Sequence, residues 1–458
     1  MGNTFTTPFT EDAKISKEHP YWTRAEIALF RDHFSSIDEL TLKFENSVIS
    51  SFNTYLNKCF EENLGESIDN CDDVSMYLGK IMRSTTDFLT QFVWKPVLMH
   101  LKENRKDATE PSATLLFLSI LFDYATSRKY TKDELIFQAS KLQKLFISYC
   151  EDRGFAHSRS IDSNSDICDS VFVIRWMNEC YPCLPKILTE KLQQICFNQY
   201  DSHVFMAPEL CDESSILSSL DVLPFACICD ELQGNWRRLY TTDTDGRCFN
   251  RIVHHLIGYE GPMFIVIKCS SEPATILGAY VDSAFKDCNR YHGNRSNFLY
   301  TLSPDFNVYR TSGRENHYQW LNTKLFGLPH GMGFGGNRED GMRLFIPDSM
   351  EQCTARGTDL TYDPGPLLPK SSQSPTSAPT PGNLEIDSLE IWGTGGDEII
   401  STAMSRRVEK RESINATIQQ ARKVDKSQFA GNSFDQEMFL SKNFSHKTRV
   451  AEDASVGR

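Results

Sequence analysis

Three stretches carry residue types that could do chemistry. Cys248 precedes a short helical run holding His254 and His255, and a thiol beside an imidazole is the raw material of a covalent nucleophile. Adjacent histidines point in different directions on a helix, so at most one could serve such a thiol. Cys248 and Cys269 are the candidates for one reading, in which the chain is an enzyme of peroxide or thiol chemistry. That chemistry needs a thiolate, hence a lowered cysteine pKa. Cys180 and Cys183 form a CxxC, but no second CxxC or paired histidines complete a zinc set, and Pro182 and Pro185 read as an ordinary turn. Gly331-Met332-Gly333-Phe334-Gly335-Gly336 has the outline of a dinucleotide fingerprint, which works only where a strand leads into a helix. Here a loop after Leu328-Pro329 is expected to lead to a strand at Met342, so the glycines read as sites of close packing or positive φ. No GxSxG elbow, HExxH or phosphate loop occurs, and no catalytic residue, metal or cofactor is expected.

Two more stretches bear on metal and lipid. Asp123 to Glu134 is a twelve-residue loop between helical patterns, acidic at its first and last positions, similar to an EF-hand. Calcium needs further oxygen ligands and a glycine at the sixth position, where Ala125 and Arg128 break the pattern. A degenerate loop kept as scaffold is expected. Met1-Gly2-Asn3-Thr4-Phe5-Thr6 fits the myristoylation pattern, with Gly2 unhindered and Thr6 hydroxylated. A single myristoyl chain binds membranes only marginally, so a second contact is required.

The bulk properties bound these readings. The chain has 458 residues, enough for two or three domains, with 40% hydrophobic and 24% charged residues, ordinary globular values. A net charge of -13 argues against a general nucleic-acid binder, which needs a basic face to displace counterions. Fourteen cysteines are scattered rather than spaced as a disulfide framework, and Met1 to Thr10 lacks an apolar signal core. The most apolar run, Leu115 to Phe122, is far too short to span a bilayer. A cytoplasmic protein with reduced thiols is expected, monomeric on its own.

The elements that must position these residues follow from periodicity. Residues 1–20 read as the acylated segment, and 21–200 as an α-helical domain, with apolar steps at Ile27 and Phe30, then Leu135, Ala139, Leu142 and Phe146. Phe172, Trp176, Leu188, Leu192 and Ile195 continue the helical pattern. Residues 201–222 read as a polar linker. From 223 to 395 short β runs take over, favouring a two-sheet antiparallel sandwich, with one helix near Cys248–Leu256. Met342-Arg343-Leu344-Phe345-Ile346 and Leu384-Glu385-Ile386-Asp387 alternate, so single faces are expected to be buried, as packed sheets require. Residues 364–382 are rich in Pro, Ser and Thr and read as a disordered insertion. In 396–458 a helix is expected over Asp397–Val424, with a flexible tail. Ile399, Ile400 and Met404 form its apolar stripe, and Arg406 and Arg407 make its middle basic. It reads either as a solvated helix or as one that docks in a partner's groove.

Residues 223–393 as a whole resemble a TLDc domain. The resemblance rests on Trp236 with Leu239-Tyr240-Thr241-Thr242, Gly246, Gly261-Pro262, Gly278-Ala279-Tyr280, Phe298-Leu299-Tyr300, Gly313 with Asn316, Gly331 to Gly336, and Leu389-Glu390-Ile391-Trp392-Gly393. Met332 and Phe334 interrupt the family's glycine run, and Arg343-Leu344-Phe345 stands where Gly-Leu-Trp is typical. The resemblance implies a β-sandwich flanked by helices and a role in binding. TLDc proteins associate with the vacuolar proton-pumping ATPase, several are linked to oxidative-stress resistance, and a lysosome-linked branch is tied to mTOR signalling. With Gly2 and the EF-hand-like front, that branch is the one this chain is similar to. The expected partners are therefore vacuolar ATPase subunits, mTOR complex components and, through the acyl chain, a lysosomal membrane. No catalytic residues are established for the domain, so Trp236, Gly246, Gly261, Gly278, Gly313, Asn316, Gly331, Gly333, Gly335, Gly336, Glu390 and Trp392 are expected to be structural or partner-binding.

Overall fold

The computed structural model describes residues 21–33, 44–64, 71–104, 110–127, 129–153, 170–197, 205–271, 274–369 and 382–429. Gly2, Arg128, most of the Pro/Ser/Thr insertion and the last residues, 430–458, lie outside them. Two compact units are defined, Met1–Asp397 and Glu398–Arg458.

The first unit opens with eight described helices: α1 Arg24–His33, α2 Phe52–Leu64, α3 Cys71–Met82, α4 Thr86–Glu103, α5 Glu110–Ala125, α6 Lys132–Asp152, α7 Ser170–Cys180 and α8 Leu184–Phe197. Helix α5 buries Phe117, Leu118, Ile120, Leu121 and Phe122, nearly its whole circumference, as a central helix must. Helix α6 starts with a reciprocal capping box between Thr131 and Glu134 and buries the predicted stripe Leu135, Ala139, Leu142 and Phe146.

The chain then forms β1 Glu209–Leu210, α9 Ser219–Ala226, β2 Asn235–Thr241, α10 Thr242–Asp245 and α11 Phe249–Leu256. There follow β3 Met263–Cys269, β4 Ile276–Val281, β5 Phe298–Ser303, β6 Asn307–Arg310, β7 Trp320–Asn322, β8 Gly331–Phe334, β9 Leu344–Pro347, β10 Cys353–Ala355, β11 Gly382–Leu384 and β12 Ile386–Gly393. One sheet has the order β1-β2-β12-β3-β4-β5-β6, the other β11-β10-β9-β8-β7. All pairings are antiparallel except β1 with β2. The fold is α+β, with helices ahead of a two-sheet sandwich. Strand β12, last in the chain, sits between β2 and β3, so the Leu389–Gly393 motif lies in the interior of the large sheet, next to its middle strand.

That sheet is buried on both faces. Phe264, Val266, Tyr280, Phe298, Tyr300 and Trp392 join one continuous core with the helices, reaching back to Trp22. Their neighbours Ile265, Ile267, Leu277, Leu299 and Ile391 are equally buried and point the other way. Helix α9 is the wedge between helices and sheet. Its Phe225 packs on Phe264 at 5.0 Å, Tyr300 at 4.8 Å and Phe306 at 5.0 Å between ring centroids. From α6, Gln138 and Lys141 donate to the Asp221 carboxylate on α9 at 3.2 and 3.3 Å.

Three expectations need correction, and one buried charge, Arg343, joins them. Residues 205–222 are not a linker: they supply β1 and the start of α9, and their side chains and backbone bond to the sheet. The first part of the glycine cluster, Gly331–Phe334, is a strand, β8, paired with β7 and β9 rather than a loop, and Gly335 and Gly336 turn the chain out of it. Arg343 is fully buried, because an acid meets it inside. The run expected as one strand from Leu384 to Trp392 is split at Glu385 between β11 and β12, which belong to different sheets.

Helix α12 Gly396–Phe429 carries into the second unit. On it Ile399, Met404 and Arg406 are exposed, with Ile400 between them in sequence. Arg407 reaches Met404 Sδ at 3.8 Å.

Candidate functional site

Most of the marked residues converge on the helix-facing side of the large sheet and on one end of the small one. Glu390 and Trp392, two residues apart on β12, share the helix-facing side. Glu390 is fully buried, and a buried carboxylate requires partners. It accepts from Ser214 Oγ (2.6 Å), Ser215 N (2.9 Å), Ser215 Oγ (3.2 Å) and Trp392 Nε1 (3.0 Å). Ser214 Oγ in turn accepts from Ile216 N and Leu217 N at 3.1 and 2.8 Å. One acid therefore ties β12 to the chain that enters α9. Trp236, on β2, is buried against Phe264 and donates Nε1 to Leu232 O at 3.0 Å.

Gly278 lies in β4 between Val266 and Tyr300. A Cβ there would stand 1.9 Å from Ile265 O and 2.6 Å from Tyr300 Oη. The space is used by Tyr300, whose hydroxyl donates to Ile265 O at 2.8 Å. Burial, and then the Glu390 charge, push the Tyr300 pKa well up, so it is a fixed neutral donor.

The glycine cluster surrounds a buried ion pair. Gly335 and Gly336 both have φ of +64°, a left-handed pair that glycine allows. The turn directs Gly336 N at Asp359 Oδ2 (2.9 Å), which also accepts from Thr361 N (2.9 Å), while Arg343 Nη1 meets Asp359 Oδ1 at 2.9 Å. Arg343 Nη2 donates to Gly365 O at 2.8 Å and the guanidinium lies over the Tyr309 ring at 5.3 Å. A Cβ on Gly335 would fall 2.6 Å from the same Asp359 oxygen. Gly333 makes room for Met342, and Gly331 for the Ile346 carbonyl.

The other marked positions are turns. Gly246, at φ +81°, ends α10 and accepts from Tyr240 Oη at 2.8 Å. Gly261 is buried ahead of β3, and Gly313 (φ +76°) and Asn316 are exposed.

The chemical candidates separate. Cys269 is buried, and burial pushes its thiol up to about 12, the reverse of an activated nucleophile. That corrects its candidacy. Cys183 is likewise pushed up to about 12 by burial and by its bond to Asp230, and Cys180 is raised too. Cys248 is exposed at the start of α11. His255 turns its Nδ1 to Leu239 O at 2.6 Å and its Nε2 toward Asp245 at 4.0 Å, away from a thiol partnership.

In the EF-hand-like loop, Asp123 is fully buried and accepts from Ser47 N (2.8 Å) and the Ser47 hydroxyl. Glu134 is spent on the α6 capping box, accepting from Thr131 N and Oγ1 at 2.8 and 2.7 Å. Both acidic ends are thus engaged by the fold. Among the described residues no group of three His, Cys, Asp or Glu side chains is placed to hold a metal, and no helix is long and apolar enough to cross a membrane. The bonds of Asp123 and Ser214 were invisible in the sequence, because each joins residues far apart in the chain.

Residues 210–395 match the family model of the TLDc domain, so the chain carries that domain, beginning at the strand β1 rather than at residue 223. More particularly, it is 26% identical over 166 residues to the MTOR-associated protein MEAK7 of Xenopus laevis, covering 36% of this chain and 33% of the frog protein. The human protein of that name is 26% identical over 183 residues, 40% of this chain and 37% of its own length. Human nuclear receptor coactivator 7 is 30% identical over 151 residues, 32% of this chain and 15% of that protein. The chain thus spans about a third of the length of the first relatives it matches.

Proposed function

We propose that this chain is a non-enzymatic adaptor, tethered to lysosomal or other acidic-organelle membranes by a myristoyl group on Gly2, that binds the vacuolar proton-pumping ATPase and feeds mTOR signalling. The observation that carries the reading is the TLDc match together with relatives named for mTOR association. The geometry agrees in kind: Gly278, Gly335, Gly336, Glu390 and Trp392 serve the interior of the fold, which leaves recognition to its surface. A weak acyl contact and a weak protein contact on one chain reinforce each other through effective concentration.

The test is retention of purified pump subunits by the full-length acylated chain, with Gly2→Ala and a chain ending before Glu398 as comparisons. Enrichment over bare resin is expected; none would remove the reading. The competing thiol enzyme now rests on Cys248 alone. Peroxide turnover abolished by Cys248→Ser would reinstate it.

A further inference from the structure

We propose that the β7–β8 hairpin tip is a membrane-contact site that places Phe326 in an anionic phospholipid surface. This deepens the membrane part of the reading above and rests on it. Phe326 is 94% exposed, and its neighbour Leu325 is 41% exposed. A lone exposed apolar residue is common and means little by itself. This one is held out by a rigid frame.

Asn322, fully buried at the foot of the hairpin, stitches the loop from inside. Its Oδ1 accepts from Lys324 N and Leu325 N at 3.2 and 2.9 Å, and its Nδ2 donates to Leu325 O and Pro329 O at 3.1 and 3.2 Å. Trp320 Nε1 donates to Pro329 O at 3.1 Å, and Gly327, at φ +80°, turns the chain back straight after the phenyl ring. A frame of this kind means little conformational freedom is lost when the tip is buried.

The charge around the tip selects the occupant. Lys324 is 82% exposed, although its Nζ lies 3.8 Å from Asp287 Oδ2, while Lys286 and Arg290 are exposed on the adjoining loop. That loop is fastened to the hairpin by Asp287, which accepts from Thr323 N and Oγ1 at 2.9 and 2.5 Å, and by Cys288 N donating to Leu321 O at 3.1 Å. Asp287 is itself largely buried, and Asp348 faces His330 at 3.5 Å. In a chain of net charge -13, the loop bonded to this hairpin exposes Lys286 and Arg290, and the hairpin itself exposes Lys324 despite its pairing with Asp287. Headgroups of anionic lipids would meet the cations while Phe326 and Leu325 enter the acyl boundary. The hairpin would be the second contact that one acyl chain lacks.

The experiment uses the full chain produced without acylation and sedimented with vesicles, either phosphatidylcholine alone or phosphatidylcholine with phosphatidylserine. Binding to the mixed vesicles only is expected, falling by about tenfold for Phe326→Asp and roughly fivefold each for Lys324→Glu and Lys286→Glu. Because Phe326 is exposed, its variant should melt with the parent, and Phe326→Trp should retain binding. Equal binding to both vesicle types, no binding to either, or an unchanged Phe326→Asp would each overturn the proposal. A chain that fails here but retains pump subunits loses only the hairpin contact, and one that binds vesicles but not the pump loses only the adaptor reading.

Discussion

The hydroxyl of Tyr300 reaches across β4 to the carbonyl of Ile265 on β3, 2.8 Å away, over a strand position that has no side chain. Strands β3, β4 and β5 are thereby pinned by one bond in addition to their ladders. Gly278→Ala should cost about 1–3 kcal/mol in urea unfolding, because its methyl group meets backbone. Tyr300→Phe should cost about 1–2 kcal/mol for an unanswered buried acceptor. Since the nearer obstruction is the Ile265 carbonyl, at 1.9 Å, the double variant should be no more stable than Gly278→Ala alone. Rescue by the phenylalanine would show that the geometry is misassigned.

Glu390 joins the interior of the sheet to the entry of α9. Glu390→Ala should release the stretch Ser214–Leu217 before the sheet melts. Hydrogen exchange at the Ile216 and Leu217 amides, which Ser214 Oγ holds at 3.1 and 2.8 Å, should rise well ahead of exchange in β3. Uniform acceleration across the domain would refute this.

Asp359 answers Arg343 and three backbone amides. Asp359→Asn should destabilise the chain by about 3–5 kcal/mol, as breaking a buried pair from one side does. Replacing both, as Arg343→Met with Asp359→Leu, should cost less than the sum of the single changes, since no charge is left stranded. Additive losses in thermal unfolding would count against a coupled pair.

His292 supplies a pH response. Its Nε2 accepts from Lys286 N at 3.0 Å, which demands an unprotonated nitrogen there. Burial is the main cause that holds its pKa below the ordinary value of 6.5, aided by the charge of Lys286 and opposed by its bond to Arg290 O. A histidine with a lowered folded pKa stabilises fully above its unfolded value, and that stability drains away as pH falls below about 6.5. Protection of the Lys286 amide, taken relative to its intrinsic exchange rate at each pH, should therefore fall between pH 7 and 5.5, and His292→Gln should flatten that dependence.

Calcium should do nothing. Asp123 is sealed against Ser47 and Glu134 caps α6, so 1 mM calcium, about the weakest affinity at which such loops act, should leave the melting temperature unchanged. A rise of several degrees would contradict the reading of a disused loop.

How far the sequence could be read follows from which interactions are local. The stripe on α6, its capping box and the antiparallel sandwich are written in spacing and periodicity, because the residues concerned are near neighbours in the chain. The burial of Arg343 could not be read, because only Asp359, sixteen positions later in the chain, makes it tolerable. Gly331 to Gly336 is legible as a site of close packing and positive φ, and Gly331 and Gly333 pack closely while Gly335 and Gly336 take positive φ; the strand β8 that holds the first of them is not, because glycine favours turns. The segment 205–222 is polar on paper since its serines serve a glutamate about 175 residues away, and no local pattern records that.

The side of the large sheet that faces α9 has a practical corollary. Phe264, Phe298, Tyr300 and Trp392 are roofed by Phe225 and, behind it, by helices that precede residue 200. Cutting out the sheets without their roof would bare a wall of aromatic rings to water. Such a shortened product would clump or cling to surfaces indiscriminately, and whatever it pulled from an extract would report on the exposed rings rather than on the intact molecule.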